Sequence, residues 1–275
     1  MIKIIEESSF LGATLENVDL SKKILVEDQN TIKKALAEYQ VLFFRNQDIS
    51  PAAHKDFALI FGKLQSHPVY PTVEGFPEIT ILENDKLRPS KIEEWHTDMT
   101  FKSTPPLGSI LLGKIIPKTG GDTLFASLTA AYNDLPNKLK NKLDKLTATH
   151  SFVHGFKESL DEGHGVKKLQ KAVKDNPPVI HPVIRTHPET GKKLIFVNAL
   201  FTEKINEVSK EESKELLKFL CEHIKKDQFV YKFKWENNSI AFWDNRSVIH
   251  KPDNNYWPQL RRMERITIDD TLPPA

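Results

Sequence analysis

The chain has 275 residues, a length that suits one large β-barrel or β-sandwich domain with insertions. Hydrophobic residues make up 39% and charged residues 28% of it, which indicates a globular protein with a substantial core. The 39 basic and 37 acidic residues give a net charge of +2, so the broad basic surface of a nucleic-acid-binding protein is not expected. No apolar run approaches the ~20 residues of a membrane-spanning helix, and no membrane association is expected.

The N-terminal segment and the cysteine content predict the compartment. Residues 1–10 contain no positively charged region followed by a long apolar stretch, so they do not indicate a secretory signal. Cys221 is the single cysteine, which excludes an intramolecular disulfide bond. We therefore expect an intracellular and, most simply, cytoplasmic protein.

The first third of the chain mixes helix and strand. Residues 30–39 have a helical pattern, and the short apolar run Val41–Phe44 suits a buried strand. A second helix is expected to begin at Ser50 and Pro51, because serine can cap the free amides and proline fits the first helical turn. This helix is predicted to end at Gly62.

The rest of the chain is rich in strand signals bounded by Pro, Gly or Asn. Many short strands without regular strand–helix alternation favour an antiparallel sandwich or jelly roll, mainly β with flanking helices. The clearest helix covers residues 210–226, where Ser209 and Glu212 form a capping-box pair. The predicted strands are 79–82, 108–116, 147–153, 179–186, 193–198, 229–235, 240–243 and 263–268.

Residues 156–178 form a polar, charged insertion that contains Gly163 and Gly165. An insertion of this kind is either a mobile lid over a site or an ordinary surface excursion, and the sequence leaves both open. We predict a single domain over residues 1–275, with this segment as a candidate lid.

A candidate metal site comes from two segments that lie far apart in the chain. In a strand, residues two apart share a face, so His96 and Asp98 would project together while Thr97 turns away. With His250 as a third ligand, they could hold a ferrous ion and leave three positions for a bidentate cosubstrate and dioxygen. His-x-Asp alone occurs by chance in many chains, and a lone distal histidine is more often structural.

An arginine pattern follows the second segment. Arg261, Met263 and Arg265 share one parity along a predicted strand. If that face lines the interior, two buried guanidinium groups need anionic partners, because burying unpaired charge costs several kcal/mol. A carboxylate or sulfonate ligand matches their planar fork. Pairing with acidic residues on neighbouring strands, or exposure to water, is the alternative.

Other histidines suggest structural roles. His150 and His154 are four apart and on a helix could form half of a zinc site, but the surrounding residues suggest a strand. His181 and His187 flank an apolar strand and are expected to be structural. Cys221 is expected to be a packing residue.

At the candidate metal ligands and the two arginines, the chain resembles the taurine dioxygenase family of Fe(II)- and 2-oxoglutarate-dependent oxygenases. The resemblance covers nearly the whole chain, and many blocks in the same order are far more specific than any one motif. The matching blocks are 41–45 with Asp48, 67–71, Trp95-His96-Thr97-Asp98, Gly120-Gly121-Asp122-Thr123, 181–188, 196–198, Trp243-Asp244-Asn245-Arg246 and 261–267.

The resemblance implies a fold, a cofactor and a cosubstrate. It implies a double-stranded β-helix, which is the jelly-roll core of these enzymes. It also implies that His96, Asp98 and His250 bind iron, that Arg261 pairs with the distal carboxylate of 2-oxoglutarate, and that Thr123 hydrogen-bonds the same cosubstrate. Dioxygen and a small anionic organic molecule are the expected reactants.

The substrate positions carry over less completely. His67 and Arg265 match positions that grip the sulfonate in taurine enzymes. Tyr70, Phe156 and Phe201 match positions in the pocket wall. The resemblance therefore implies a site in which two cationic or hydrogen-bonding groups hold an anion and aromatic rings surround the organic part.

Two departures from the family pattern affect the substrate. Ile92 stands where the taurine enzymes have Asn, and Gly155 stands where they have Ser. Both changes remove polar groups, so a small amine should bind less well while the anion grip survives. We expect taurine or another alkylsulfonate, with release of sulfite and an aldehyde. An alkyl sulfate ester or a carboxylate also fits.

The sequence leaves two hypotheses from other functional classes open. One is a non-redox, metal-dependent hydrolase in which zinc occupies the same triad, although it would leave Arg261 without an obvious purpose. Another is a non-catalytic protein that captures an anion. A homo-oligomer is also compatible with the sequence.

Overall fold

The computed structural model describes residues 1–66, 70–87, 92–157, 160 and 166–275. The helices are α1 (Val26–Tyr39), α2 (Pro51–Leu59), α3 (Leu128–Asp134), α4 (Asn137–Leu143), α5 (Phe152–Gly155), α6 (Val166–Asp175) and α7 (Lys210–Ile224). The strands are β1 (Lys3–Glu6), β2 (Ala13–Glu16), β3 (Val41–Phe44), β4 (Thr72–Val73), β5 (Phe76–Asn84), β6 (Gly108–Ile115), β7 (Thr123–Ser127), β8 (Thr147–His150), β9 (Val179–Pro182), β10 (Ile184–Thr186), β11 (Lys193–Ile195), β12 (Thr202–Ile205), β13 (Val230–Phe233), β14 (Ile240–Asp244), β15 (Val248–Pro252) and β16 (Arg261–Ile268).

The described strands form a large sheet with the order β1-β2-β3-β14-β6-β16-β5-β4. Smaller sheets have the orders β13-β7-β15, β12-β8-β9 and β10-β11. Apart from the parallel pair β2 and β3, the paired strands are antiparallel. The late strands β14 and β16 lie between early strands, a long-range interleaving that jelly rolls share. The expected fold, mainly β with a jelly-roll core and flanking helices, is confirmed.

Strand β3 shows how both faces of the large sheet are buried. Phe43 faces the β13-β7-β15 sheet, where its ring stacks on Phe233 with centroids 4.1 Å apart. Phe44 faces the opposite way and meets Phe57 of α2 edge-on at 5.7 Å. Since side chains alternate across a strand, a strand covered on both faces needs a continuous apolar run. This requirement explains Val41–Phe44.

Two predicted helix starts are confirmed by their caps, whereas α1 begins at Val26, four residues before the predicted helix. The Ser50 hydroxyl accepts a hydrogen bond from the Ala53 amide at 3.2 Å, and the Ser209 hydroxyl accepts one from the Glu212 amide at 3.2 Å. These bonds satisfy amides that have no partner inside the helix. In the described part of the chain, no helix combines the length and apolar character needed to cross a membrane.

Two strand predictions are wrong in part. The strand predicted at 147–153 ends before Ser151, whose hydroxyl accepts a hydrogen bond from the His154 amide at 3.2 Å and caps α5. A local cap of this kind competes with strand formation. The strand predicted at 179–186 divides at Val183, because β9 pairs with β8 whereas β10 pairs with β11.

The segment 156–178 contains α6 among its described residues. Ala172 and Val173 of this helix pack against a buried aromatic cluster that is described below. The glycines Gly163 and Gly165 lie outside the described residues, and the lid stays a prediction.

Candidate metal centre and active site

His96 and His250 are held side by side by their own backbones. The His96 amide donates to the His250 carbonyl at 2.9 Å, and the His250 amide donates to the His96 carbonyl at 2.9 Å. In such a pair the side chains project to the same face, and the ring centroids are 4.3 Å apart. The fold thus brings together two residues from distant parts of the sequence.

Asp98 completes the cluster from the turn that follows this pairing. Its Oδ1 lies 3.7 Å from Nε2 of His96 and 4.0 Å from Nε2 of His250. The three residues are buried, and a ligand atom from each lies within 4.8 Å of the others. The expectation that His96 and Asp98 share a strand is wrong, since Asp98 lies in a turn. Thr97 turns away as expected and bonds the Val248 carbonyl.

Neighbouring groups orient two of the three candidate ligands. Nδ1 of His96 lies 2.9 Å from the Glu94 carbonyl and donates to it, which leaves Nε2 with a free lone pair. The Ser109 hydroxyl donates to Oδ2 of Asp98 at 3.0 Å, which leaves Oδ1 on the side of the two imidazoles. The two atoms left free, Nε2 of His96 and Oδ1 of Asp98, lie 3.7 Å apart.

The charges of the cluster suit a divalent metal ion. Burial lowers the pKa of His96, and it lowers the pKa of His250 to about 3, so both imidazoles are neutral. Burial is the largest influence on Asp98 and opposes its ionisation, but the Arg265 guanidinium, the neighbouring imidazoles and the Ser109 hydrogen bond together outweigh it and lower the pKa of Asp98 to about 2. Two neutral imidazoles and one carboxylate are the donor set of ferrous oxygenase sites, so the residues present fit an Fe(II) ion.

Arg265 lies next to the cluster. Its Nη1 is 3.6 Å from Oδ1 of Asp98, and its Nε is buried without a hydrogen-bond partner among the described residues. Arg265 is on β16, opposite Thr80 of β5 and Leu111 of β6. A buried donor without an acceptor is costly, so this nitrogen is available to an anion bound beside the cluster.

Arg261 is buried on the same strand, in an aromatic pocket. Its guanidinium carbon lies 5.9 Å from the ring centroids of both Trp235 and Tyr256, and its Nε donates to the Gly121 carbonyl at 3.1 Å. Burial lowers the pKa of Arg261 to about 10, which still leaves it protonated at neutral pH. Among the described residues no carboxylate forms an ion pair with it, so the alternative of an acidic partner on a neighbouring strand is not seen.

The Gly120-Gly121-Asp122-Thr123 block lies against this pocket. Gly121 has φ +75°, and a Cβ there would lie 3.3 Å from Cδ of Arg261. The absence of a side chain at Gly121 therefore leaves room for the Arg261 side chain to pack against the backbone. The Thr123 hydroxyl accepts a hydrogen bond from Nε1 of Trp235 at 2.9 Å, so its own proton remains for another acceptor.

Phe156 and Phe201 belong to an aromatic cluster. Their ring centroids lie 6.5 Å and 5.0 Å from that of Phe101, which follows Asp98 closely in the chain. Phe152 packs edge-on against Phe101 at 5.1 Å. Met99, the residue directly after Asp98, also contacts the cluster. The cluster is linked to the candidate metal ligands through Met99, and the pocket-wall role of Phe156 and Phe201 stays a prediction.

The remaining expected substrate residues add little to this geometry. His67 lies outside the described residues. Tyr70 is 40% exposed, and the Ile92 carbonyl accepts a hydrogen bond from Nδ2 of Asn254 at 3.1 Å. The anion grip of His67 and the pocket role of Tyr70 stay predictions.

The other histidines make structural contacts. Nδ1 of His150 lies 2.9 Å from the Thr100 hydroxyl, and Nε2 of His181 donates to the Thr100 carbonyl at 2.9 Å. Nε2 of His187 lies 3.0 Å from Oδ2 of Asp244. In the described part of the chain none of them joins a cluster of three metal-binding side chains.

Sequence reasoning missed several residues of the site. Ser109, Trp235 and Asn245 bond directly to candidate functional residues, yet none carries a charge or a metal-binding group that would draw attention. Asn245 could have been noticed because it lies in the block Trp243-Asp244-Asn245-Arg246. Ser109 and Trp235 have no comparable local signal.

We predict that His96→Ala abolishes high-affinity binding of a divalent metal. Loss of an outer-shell partner alone weakens metal affinity by about 10- to 100-fold, so loss of a ligand should exceed about 100-fold. Mn²⁺ titration calorimetry measures the effect. The exposed His154, mutated to Ala, is the control and should bind Mn²⁺ like the unmodified protein. Equal affinity in His96→Ala and His154→Ala would contradict the assignment.

Known proteins resemble this chain over almost its full length. The family model described as "Taurine catabolism dioxygenase TauD, TfdA family" matches residues 5–267. An alkylsulfatase from Acinetobacter baylyi is 35% identical over 262 residues, which covers 94% of this chain and 82% of the relative. An alpha-ketoglutarate-dependent sulfate ester dioxygenase from Pseudomonas putida is 31% identical over 268 residues, which covers 96% of this chain and 88% of the relative.

Solved structures with a similar fold come from the same group of proteins. The crystal structure of a taurine dioxygenase from Burkholderia xenovorans matches with a TM-score of 0.85 and 34% identity, covering 99% of this chain and 90% of that one. Sequence and structure therefore point to one group of proteins. The chain belongs to the TauD, TfdA family of dioxygenases.

Proposed function

We propose that this protein uses Fe(II) and 2-oxoglutarate, also called alpha-ketoglutarate, to hydroxylate a small anionic organic substrate. The observation that carries the proposal is the buried cluster of His96, Asp98 and His250, with Arg261 and Arg265 on one adjacent strand. The chemistry that the bound iron supplies is a coupled oxidation by one O₂, which converts 2-oxoglutarate to succinate and CO₂ and a substrate C–H to C–OH.

Arg261 and Thr123 form the proposed site for the distal carboxylate of 2-oxoglutarate. The supporting observation is a buried guanidinium that has aromatic neighbours but no ion-pair partner among the described residues. A carboxylate would neutralise it through paired N–H···O bonds, and the Thr123 hydroxyl would add a third donor. These residues bind and orient the cosubstrate.

Arg265 is the proposed anchor for the anionic group of the substrate. Its unpartnered Nε and its position 3.6 Å from Asp98 support this role, since an anion there would sit beside the metal without replacing a ligand. Holding the reactive carbon near the site of oxidation is the protein's contribution to the rate. We retain His67 as a second donor to the same anion.

The substrate class we propose is an alkyl sulfate ester or an alkylsulfonate with an apolar chain. The P. putida relative is named for sulfate esters and the B. xenovorans structure for taurine. Both substrates carry the anionic sulfur group that Arg265 would bind. We propose an apolar chain rather than the amine of taurine, and the support is the apolar cluster in which Phe101, Phe156 and Phe201 pack with Met99, the neighbour of Asp98.

Gly155 supports an apolar pocket more directly. A Cβ at this position would overlap Cδ1 of Phe201 and lie 2.6 Å from its Cε1 and 3.0 Å from the Leu200 carbonyl oxygen. The Phe201 ring therefore packs directly against the backbone of α5 and occupies the space that a side chain at position 155 would need. Only glycine permits this position of the ring.

Hydroxylation at the carbon bearing the sulfur group would cleave either substrate. A sulfate ester R–CH₂–O–SO₃⁻ would become R–CH(OH)–O–SO₃⁻, which breaks down to the aldehyde and sulfate. A sulfonate R–CH₂–SO₃⁻ would become R–CH(OH)–SO₃⁻, which breaks down to the aldehyde and sulfite. A hydrolase would instead release an alcohol and sulfate from the ester without consuming O₂.

We further propose a single catalytic domain over residues 1–275 that works in the cytoplasm. A reducing compartment would keep iron ferrous, and the single Cys221 is compatible with it. The segment 156–178 is proposed to cover the aromatic end of the site. Contacts of Ala172 and Val173 with the aromatic cluster support that position.

The decisive test compares products from an alkyl sulfate and an alkylsulfonate of equal chain length. With Fe(II), O₂ and 2-oxoglutarate, we expect succinate and aldehyde in equal amounts, accompanied by sulfate or sulfite respectively. Omitting O₂ or 2-oxoglutarate should stop the reaction. An alcohol product, or turnover without 2-oxoglutarate, would establish a hydrolase instead.

Substituting the two arginines should separate their roles. Arg261→Ala is expected to weaken 2-oxoglutarate binding to the Mn²⁺-loaded protein by roughly 10- to 100-fold, since hydrogen bonds to charged groups contribute about 1.5–3 kcal/mol. Arg265→Ala should leave that affinity within about threefold and instead raise the KM of the sulfur-containing substrate. Calorimetry and succinate assays measure the two effects. The reverse pattern would mean that the roles are exchanged.

Gly155→Ser should change the preferred organic group. The added side chain displaces the Phe201 ring or α5, so we expect kcat/KM for octyl sulfate to fall about tenfold relative to that for ethyl sulfate. Val153→Ser, on an exposed position of the same helix, is the matched control and should keep the original ratio. An unchanged ratio in Gly155→Ser would show that Phe201 does not border the alkyl chain.

A further inference from the structure

The backbone of Asp98 is held by a single side chain. The Asp98 amide donates to Oδ1 of Asn245 at 2.8 Å, and Nδ2 of Asn245 donates to the Asp98 carbonyl at 2.9 Å. Asn245 is buried, and the two bonds together require its amide in this orientation, with the oxygen facing the N–H group. One side chain therefore binds both backbone polar groups of a candidate metal ligand.

Asn245 also joins Asp98 to the strand that holds its carboxylate. The backbone N–H of Asn245 donates to the Leu107 carbonyl at 2.9 Å, and its side-chain Nδ2 also donates to the Pro106 carbonyl at 3.2 Å. This segment leads directly into β6, where the Ser109 hydroxyl donates to Oδ2 of Asp98. The backbone and the carboxylate of Asp98 are thus fixed from one side of the site.

The turn that carries Asn245 is itself rigidly bonded. Nε and Nη2 of Arg246 donate to the two carboxylate oxygens of Asp244 at 2.8 and 2.7 Å. Nδ1 of His187 accepts from the Glu189 and Thr190 amides at 3.2 Å, so its Nε2 carries the proton and donates to Asp244 at 3.0 Å. Burial is the largest influence on Asp244 and opposes its ionisation, but the charge and hydrogen bonds of Arg246 together with His187 hold its pKa below the usual range.

The strand after this turn supplies a second candidate ligand. The turn joins β14 to β15, and His250 lies on β15. Asp98 and His250 are therefore both connected to this turn, Asp98 through the Asn245 side chain and His250 through the backbone of β15. Met99, next to Asp98, has φ +52°, a conformation that non-glycine residues rarely adopt unless their surroundings impose it.

We propose that Asn245 is a positioning residue for the metal site, which it serves by fixing the Asp98 backbone relative to His250. The inference rests on the proposed function only in that the triad binds a divalent metal. Without the Asn245 side-chain amide, both backbone groups of Asp98 lose their partner and the turn at Met99 loses a constraint. The Ser109 hydrogen bond alone then positions the carboxylate less firmly beside the imidazoles. Asn245 itself touches neither metal nor substrate.

The test measures metal affinity separately from stability. In Asn245→Ala we expect the Kd for Mn²⁺, measured by calorimetry, to rise about 10- to 100-fold. Asn245→Ser is a second variant in case the alanine variant does not fold, and because its hydroxyl can reach only one of the two backbone groups, we expect a smaller rise. Melting temperatures of the metal-free proteins record the structural cost.

Gln47 provides a matched control. Its buried side chain also binds the backbone of neighbouring segments, accepting from the Leu20 amide at 2.9 Å and donating to the Val18 and Arg45 carbonyls at 3.1 and 2.9 Å. It bonds none of the candidate ligands. Gln47→Ala should lower the melting temperature of the metal-free protein while leaving the Mn²⁺ Kd within about twofold.

The outcomes separate the two proposals. A rise in Kd for the Asn245 variants, with none for Gln47→Ala, supports the positioning role. An unchanged Kd in folded Asn245 variants, or an equal rise in Gln47→Ala, overturns it. If the unmodified protein binds Mn²⁺ no better than His96→Ala, the metal site and with it the proposed function fail, whatever the Asn245 variants do.

Discussion

The site depends on one backbone pairing between distant parts of the chain. The two hydrogen bonds between His96 and His250 align their imidazoles, and the turn after His96 then brings Asp98 to the same point. The pairing requires that β15, which carries His250, lies beside the segment that precedes β6. That arrangement is a property of the jelly roll, in which late strands lie between early ones.

Around this pairing the interior holds charges that a purely structural core would avoid. Asp98, Arg261 and Arg265 are buried or nearly so, and only Asp98 and Arg265 approach each other. Burying charge costs several kcal/mol unless partners replace the water that is lost. A metal ion, a dicarboxylate and an anionic substrate would complete the missing interactions, and the positions of the unsatisfied groups define where each would bind.

The site therefore divides into a polar side and an apolar side. On the polar side, Ser109 and Asn245 hydrogen-bond to Asp98, and Arg261 lies in an aromatic pocket. On the apolar side, the Phe201 ring lies against the backbone at Gly155 and packs on Phe101.

The sequence alone determined the fold class, the family and the identity of the candidate ligands, because apolar periodicity and ordered motifs are local properties of the chain. It also indicated helix starts such as Ser50, since a cap acts within a few residues. Only the tertiary structure decided that Asp98 lies in a turn, that Asn245 binds its backbone and that Phe201 covers Gly155. These contacts join segments distant in sequence, and no local pattern encodes which backbone groups will meet.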